Sequence, residues 1–138
     1  MTEPSTSVPL TTWKLLAVTV LTSFGPEDMA EQGYACTIPE LVALRSRKAM
    51  ELGMDGIVAS PLEAAAVKRI IGPKKVLVTP GVRSAGAAKG DQKRTATPVE
   101  AIRDGADYLV IGRQITRAAD PAREASRILE EVGAAWIA

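Results

Sequence analysis

The sequence of 138 residues contains no histidine at all, which removes triads with a histidine base, histidine-bound metals and imidazole proton shuttles. General acid or base chemistry is left to Lys, Asp or Glu. The single cysteine, Cys36, cannot close an internal disulfide or join a Cys/His metal cluster, and suits a reducing cytoplasm, where the chain is expected to reside. Charge of one sign is also missing. Seventeen basic and sixteen acidic side chains give a formal net charge of +1, so no global field points to nucleic acid or an anionic membrane. Any anion site must be local. No hydrophobic run is long enough to span a bilayer: LLAVTVLTSF, residues 15–24, is too short, follows no basic cluster and has no small-residue cleavage site. It reads as a buried strand.

What is present is one domain's worth of chain with 46% hydrophobic residues, enough for a single core. Residues 1–13, MTEPSTSVPLTTW, lack periodicity and read as a disordered leader, with the fold occupying 14–138. Four apolar, β-branched runs follow: LLAVTVL (15–21), GIVAS (56–60), VLVTP (76–80) and YLVIG (108–112). Runs apolar on both faces belong to parallel sheets. Between them lie helical patterns. IPELVALRSRKAMELG (38–53) gathers Leu41, Leu44, Ala49 and Leu52 near one face and stops at Gly53. Ser60-Pro61 with Glu63, and Thr97-Pro98 with Glu100, are capping sequences, and Asp120-Pro121 opens the last helix. The order βαβαβαβα predicts an α/β fold: half of a TIM (β/α)8 barrel made of four parallel βα units, or else a small open sheet. The long glycine-rich loop and the Gly112-Arg113 turn after the last two strands favour the barrel, whose phosphate sites lie in the corresponding loops.

The segment DYLVIGRQITRAADP, residues 107–121, has the layout of a phosphate cup. A glycine at a strand end lets amides approach an anion, a short helix (about 114–119) starts there, and Arg113 adds a planar fork of donors. An ordinary βα turn can share this composition. The loop 79–98, TPGVRSAGAAKGDQKRTATP, exceeds the usual ~2 to 6 residues of a βα connection and reads as a mobile lid. Gly81, Gly86 and Gly90 would give it freedom, and Arg83, Gln92, Lys93 and Arg94 are donors able to close on a phosphoryl group or ring edge. A solvated surface loop is the plainer reading. Thr22-Ser23, at the end of the first strand, can offer hydroxyls to a heterocycle or simply form a turn.

In LLAVTVLTS (15–23), ELVALRSRKAMELGMDGIVASPLEA (40–64), LVTPGVR (77–83), GDQKRTATPVEAIRDGADYLVIGRQIT (90–116) and ADP (119–121), the chain resembles the C-terminal half of bacterial orotidine 5'-phosphate decarboxylase. The resemblance implies a TIM barrel, usually a homodimer, that removes CO2 from orotidine 5'-monophosphate to give UMP in pyrimidine biosynthesis, without cofactor or metal. By motif, Ser23 would bind the pyrimidine and Pro80 would line its pocket. Gln92 would bridge base and phosphate, with Gly112 and Arg113 holding the 5'-phosphate; Arg83 joins this substrate-binding set from the lid.

One family motif is absent. The catalytic Lys and Asp of the family come from a D-x-K-x-x-D stretch that this sequence does not contain, and Lys14, Lys89 and Lys93 are wrongly placed to replace it, so no catalytic residue is assigned. The expectation is a truncated or split product that grips substrate without delivering the proton. It would pair with a second copy or with a separate N-terminal half-barrel, and not with nucleic acid or membrane. A non-catalytic nucleotide-binding half-barrel, a gene remnant, and a relative of sugar-phosphate aldolases or synthases are the alternatives.

Overall fold

The computed structural model describes residues 13–137. All but Trp13 of the expected leader lies outside the described residues. The strands β1 (Leu16–Val18), β2 (Gly56–Val58), β3 (Val76–Thr79) and β4 (Tyr108–Leu109) form one sheet in the order β1-β2-β3-β4, with every neighbouring pair parallel. Sequential order without reversal leaves no topological switch point. The small open sheet with a cup at such a point is thereby excluded. The strands are shorter than the apolar runs predict. Beyond Val18 the chain bends, yet Thr19 still reaches Val58 carbonyl through its amide (3.1 Å) and hydroxyl (3.0 Å).

Helices α1 (Pro26–Glu31), α2 (Ile38–Glu51), α3 (Ala64–Ile71), α4 (Pro98–Arg103), α5 (Arg113–Thr116) and α6 (Pro121–Ile137) fill the connections. The capping expectations hold in full at Thr97 and Asp120 and in part at Ser60, and Thr37 adds a box that the sequence reading did not name. Thr97 and Glu100 close a reciprocal box, and Thr37 and Glu40 do the same for α2. Asp120 accepts from the Arg123 amide at 3.0 Å. Ser60 caps a single 3-10 turn, Pro61–Glu63, before α3, and Glu63 turns away to a different partner. Gly53, with φ of +78°, ends α2 as expected.

The helices cover one face of the sheet. Ala17, Ile57 and Leu77 are aligned across β1 to β3 and pack against Leu41, Val42 and Ala49 of α2 and Val67 and Ile71 of α3. Residues one position on share the opposite face, because side chains alternate along a strand. There Val18, Val58, Val78 and Tyr108 form a row whose ends, Val18 and Tyr108, are 58% and 60% exposed. In a closed barrel this row would be a layer of the interior. The sequence expectation that both faces are covered is corrected here: four strands curve around only half of an interior, so the inner face stays open. Leu44 and Leu52 are corrected as well. They are exposed, while Val42 and Ser46 take the buried positions of α2.

Candidate functional site

Because the strands are parallel, their C-terminal ends share one rim, which carries the turn 19–25, the long loop 80–97 and the Gly112-Arg113 corner. The long loop is tied down at both ends. Val82 bridges Ala96, the Arg83 amide donates to Ala96 carbonyl (3.0 Å), and the Lys93 and Arg94 amides both donate to Thr22 carbonyl (3.0 and 3.2 Å). Gly81 does not act as a hinge. Its φ is +75°, and a Cβ there would lie 3.0 Å from Arg94 carbonyl and 3.1 Å from Thr22 Cγ2, so glycine permits close packing of loop on turn.

Two of the loop's four expected donors, Arg94 and Lys93, are ion-paired within the protein. Arg94 is buried and ion-paired with Glu63, while its guanidinium also donates to backbone carbonyls of the first turn. It is not free to close on a ligand. Lys93 reaches Glu27 (2.6 Å) and Asp28 (2.7 Å) of α1, whose carboxyls it holds below their ordinary range, and these in turn push its ammonium up. That pairing leaves Lys93 a lid anchor.

At the other end of the rim, Arg83, Lys89, Arg113 and Arg117 line one cleft of about 380 Å³, together with Gly90, Gln114 and the carboxylate of Glu124. Four cations in one concave site make it anion-selective. Arg83 is buried and donates to its own Val82 carbonyl at 2.7 Å. Arg113 starts α5, which is a single turn of four residues, shorter than predicted. Its first amides have no intrahelical acceptor. A Cβ on Gly112 would meet no atom within 4 Å, so protein packing does not demand a glycine here, and Gly112 itself is not among the residues lining the cleft. Arg113 is ion-paired with Asp91, whose carboxyl it holds below the ordinary range. The lid backbone crosses directly above: a Cβ on Gly90 would come 3.2 Å from Arg113 Nη1.

Asp91 is followed by Gln92, whose side-chain oxygen accepts from the Thr22 hydroxyl. One lid dipeptide therefore touches both the first strand's turn and the Arg113 corner. Ser23 and Pro80 are half-buried beside these groups, but neither lines the cationic cleft. Of the sequence-predicted residues, the structure joins Arg83 with Arg113 in the cleft and brings Gln92 to the adjoining turn. Thr22 rather than Ser23 makes the observed contact with Gln92. Asp91 and Arg117 were missed. Arg117 had a legible signal, since it follows Arg113 by four residues and so shares its helical face. Among the described residues no cluster of three His, Cys, Asp or Glu side chains is placed to hold a metal, and no helix is long and apolar enough to cross a membrane.

The cleft is supported from α6. Gln114 accepts from the Ser84 amide (3.0 Å) and donates to Glu124 (2.8 Å), and Glu131 accepts from the Ser84 hydroxyl (2.8 Å). Arg127 and Gln114 together hold the Glu124 carboxyl down to about 2.

Comparison with known proteins bears on the family and the fold. The chain is 55% identical over 129 residues to an orotidine 5'-phosphate decarboxylase of Methylobacterium sp. (strain 4-46), covering 94% of this chain and 55% of that protein. A second, from Rhodopseudomonas palustris (strain BisA53), is 56% identical over 119 residues, covering 86% of this chain and 51% of the relative. The crystal structure of orotidine 5'-phosphate decarboxylase from Lactobacillus acidophilus superposes with a TM-score of 0.71 at 36% identity, over 95% of this chain and 52% of its own. The chain thus spans about half the length of the relatives it matches. The family profile described as orotidine 5'-phosphate decarboxylase / HUMPS family matches residues 5–128, and the chain belongs to that family.

Proposed function

We propose that this chain supplies the nucleotide-gripping half of an orotidine 5'-phosphate decarboxylase, with the base at Thr22, Ser23, Pro80 and Gln92 and the 5'-phosphate at Gly112, Arg113 and Arg83. The carrying observation is the Asp91-Gln92 dipeptide, which touches Arg113 with one side chain and Thr22 with the next. A ligand with a polar ring at one end and an anion at the other matches that pair of contacts. Phosphate binding remote from the reacting carbon is the kind of interaction that orients a substrate for reaction. Isothermal calorimetry with UMP tests the reading: binding is expected, with at least about a tenfold loss in Arg113→Ala, as removal of a charge-assisted contact implies. Absence of heat with the unmodified chain would sink it.

Decarboxylation itself is assigned to a complete eight-stranded barrel. The sequence has no D-x-K-x-x-D, and Lys93, close to the rim, is held by Glu27 and Asp28. These observations favour a second reading, binding without turnover, for the chain by itself. The open row of Val18, Val58, Val78 and Tyr108 takes a complementary four-stranded half, either a second copy or an N-terminal half-barrel, as exposed edges and apolar faces invite. Mixing with an N-terminal half and following loss of orotidine 5'-monophosphate separates the two readings. Light scattering examines the pairing, and a stable monomer at micromolar concentration counts against it. A cytoplasmic site of action suits both.

A further inference from the structure

The rim contains one buried cluster that the binding contacts do not use. Arg94 is 7% exposed, and its guanidinium donates to the carbonyls of Val20 (3.1 Å), Leu21 (3.0 Å) and Phe24 (3.2 Å) as well as to Glu63. Its own carbonyl accepts from Ser60 Oγ at 3.2 Å. Its amide, with that of Lys93, donates to Thr22 carbonyl. The bonds to Val20, Leu21, Thr22 and Phe24 converge on the turn that carries Thr22, while those to Glu63 and Ser60 tie Arg94 to the 3-10 turn after β2. Glu63 is 8% exposed, and one of its oxygens, Oε2, is buried with no partner among the described residues. Burying an incompletely satisfied ion pair is costly, and apolar side chains of similar volume fill such a space at lower cost. The fork geometry of arginine, which lysine lacks, is what lets one side chain hold three carbonyls and a carboxylate together.

We infer that Arg94, oriented by Glu63, is a positioning residue that sets discrimination between a pyrimidine nucleotide and a bare sugar phosphate, by locking the Thr22 turn against the lid so that Thr22 and Gln92 present one fixed edge to the base. The inference rests on the nucleotide reading above. Among the described residues Arg113 and its cleft share no bond with Arg94, so the phosphate end is expected to change little when Arg94 is altered.

The test compares UMP with ribose 5-phosphate by calorimetry on the unmodified chain, Arg94→Lys and Glu63→Gln. Arg94→Lys keeps the charge and loses the fork; Glu63→Gln keeps the shape and loses the charge. Expected is about a tenfold weakening of UMP in Arg94→Lys and a smaller one in Glu63→Gln, as loss of fixed hydrogen bonds implies, with ribose 5-phosphate unchanged within about twofold. Retained ribose 5-phosphate binding also reports that the variant is folded. If Arg94→Lys does not fold, Glu63→Gln carries the comparison. Equal weakening of both ligands, or unchanged UMP affinity in a folded variant, overturns the positioning role while leaving the site reading intact. An unmodified chain that binds ribose 5-phosphate no more weakly than UMP overturns the nucleotide reading, and the inference with it.

Discussion

Arg94 and Arg113 lie at opposite ends of one rim, each paired with a carboxylate, and they differ chiefly in burial. The side chains of Arg94 and Glu63 are 8% and 9% exposed; those of Arg113 and Asp91 are 40% and 62% exposed. The buried Arg94 guanidinium spends its donors on a carboxylate and three carbonyls, because a desolvated donor without a partner is costly. An exposed one can exchange its partner for a ligand at little cost, since water screens the pair it gives up. The same residue type, a short distance apart in sequence, is thus a fastening in one place and a receptor in the other. The lid inherits both characters: its 93–97 end is fastened through Arg94, and its 85–91 stretch lies exposed or half-exposed over Arg113.

The largest expected effect breaks the fastened end. Glu63→Ala leaves the Arg94 guanidinium buried without its carboxylate, and breaking a buried pair in this way costs about 3 to 5 kcal/mol. Against a total of about 5 to 15 kcal/mol for a domain, this is a severe loss, readable as a lower midpoint in urea unfolding. A change below about 1 kcal/mol would show that the turn does not depend on this pair. Arg113→Ala is the counterpart. It should leave the melting temperature nearly unchanged while abolishing most anion affinity, and a parallel loss of stability would erase the distinction between the two arginines.

Next in size is release of the receptor end. Asp91 is ion-paired with Arg113, so a phosphate bound by Arg113 competes with that carboxylate. Asp91→Asn removes the competing charge and should raise affinity for inorganic phosphate severalfold, measured by competition against UMP. Weaker phosphate binding would mean that Asp91 organises the cleft instead of competing for it.

The legible parts of this molecule were those written in local chemistry. Thr97-Pro98-x-Glu100, Gly53 and Asp120-Pro121 placed helix ends correctly because capping is settled within a few residues. Gly112-Arg113, read by the same logic of a glycine at a strand end, does fall at the start of α5, with Arg113 lining the cationic cleft. What escaped depends on contacts remote in sequence. Nothing near Arg94 indicates that its partner is Glu63, thirty-one positions earlier, so it read as a free donor of the lid. Gly81 read as a hinge because its positive φ is visible as a preference, whereas the Thr22 and Arg94 atoms that crowd it are not. The inner face of the sheet shows the same limit. Val18 and Tyr108 lie in apolar runs yet are 58% and 60% exposed on the open face, and periodicity records the apolar character without recording what covers it.

The smallest expected effect concerns how firmly the receptor end is held. Glu124 joins α6 to Gln114 of α5, and Arg127 with Gln114 holds its carboxyl at about 2 against an ordinary 4.5. A group whose pKa is depressed by folding adds stability that is complete above its unfolded value and is lost as pH falls through its folded value. Its contribution should therefore be full above about 4.5 and gone near 2. Because the half-buried Glu124 still meets solvent the contribution is small, and other carboxylates are shifted in the same direction, so the informative quantity is a difference. Thermal melts of Glu124→Gln against the unmodified chain should show a modest deficit at neutral pH that closes on acidification toward 2. A deficit that persists at low pH would assign Glu124 a packing role, and the Arg113 corner would then rest on α6 through shape instead of charge.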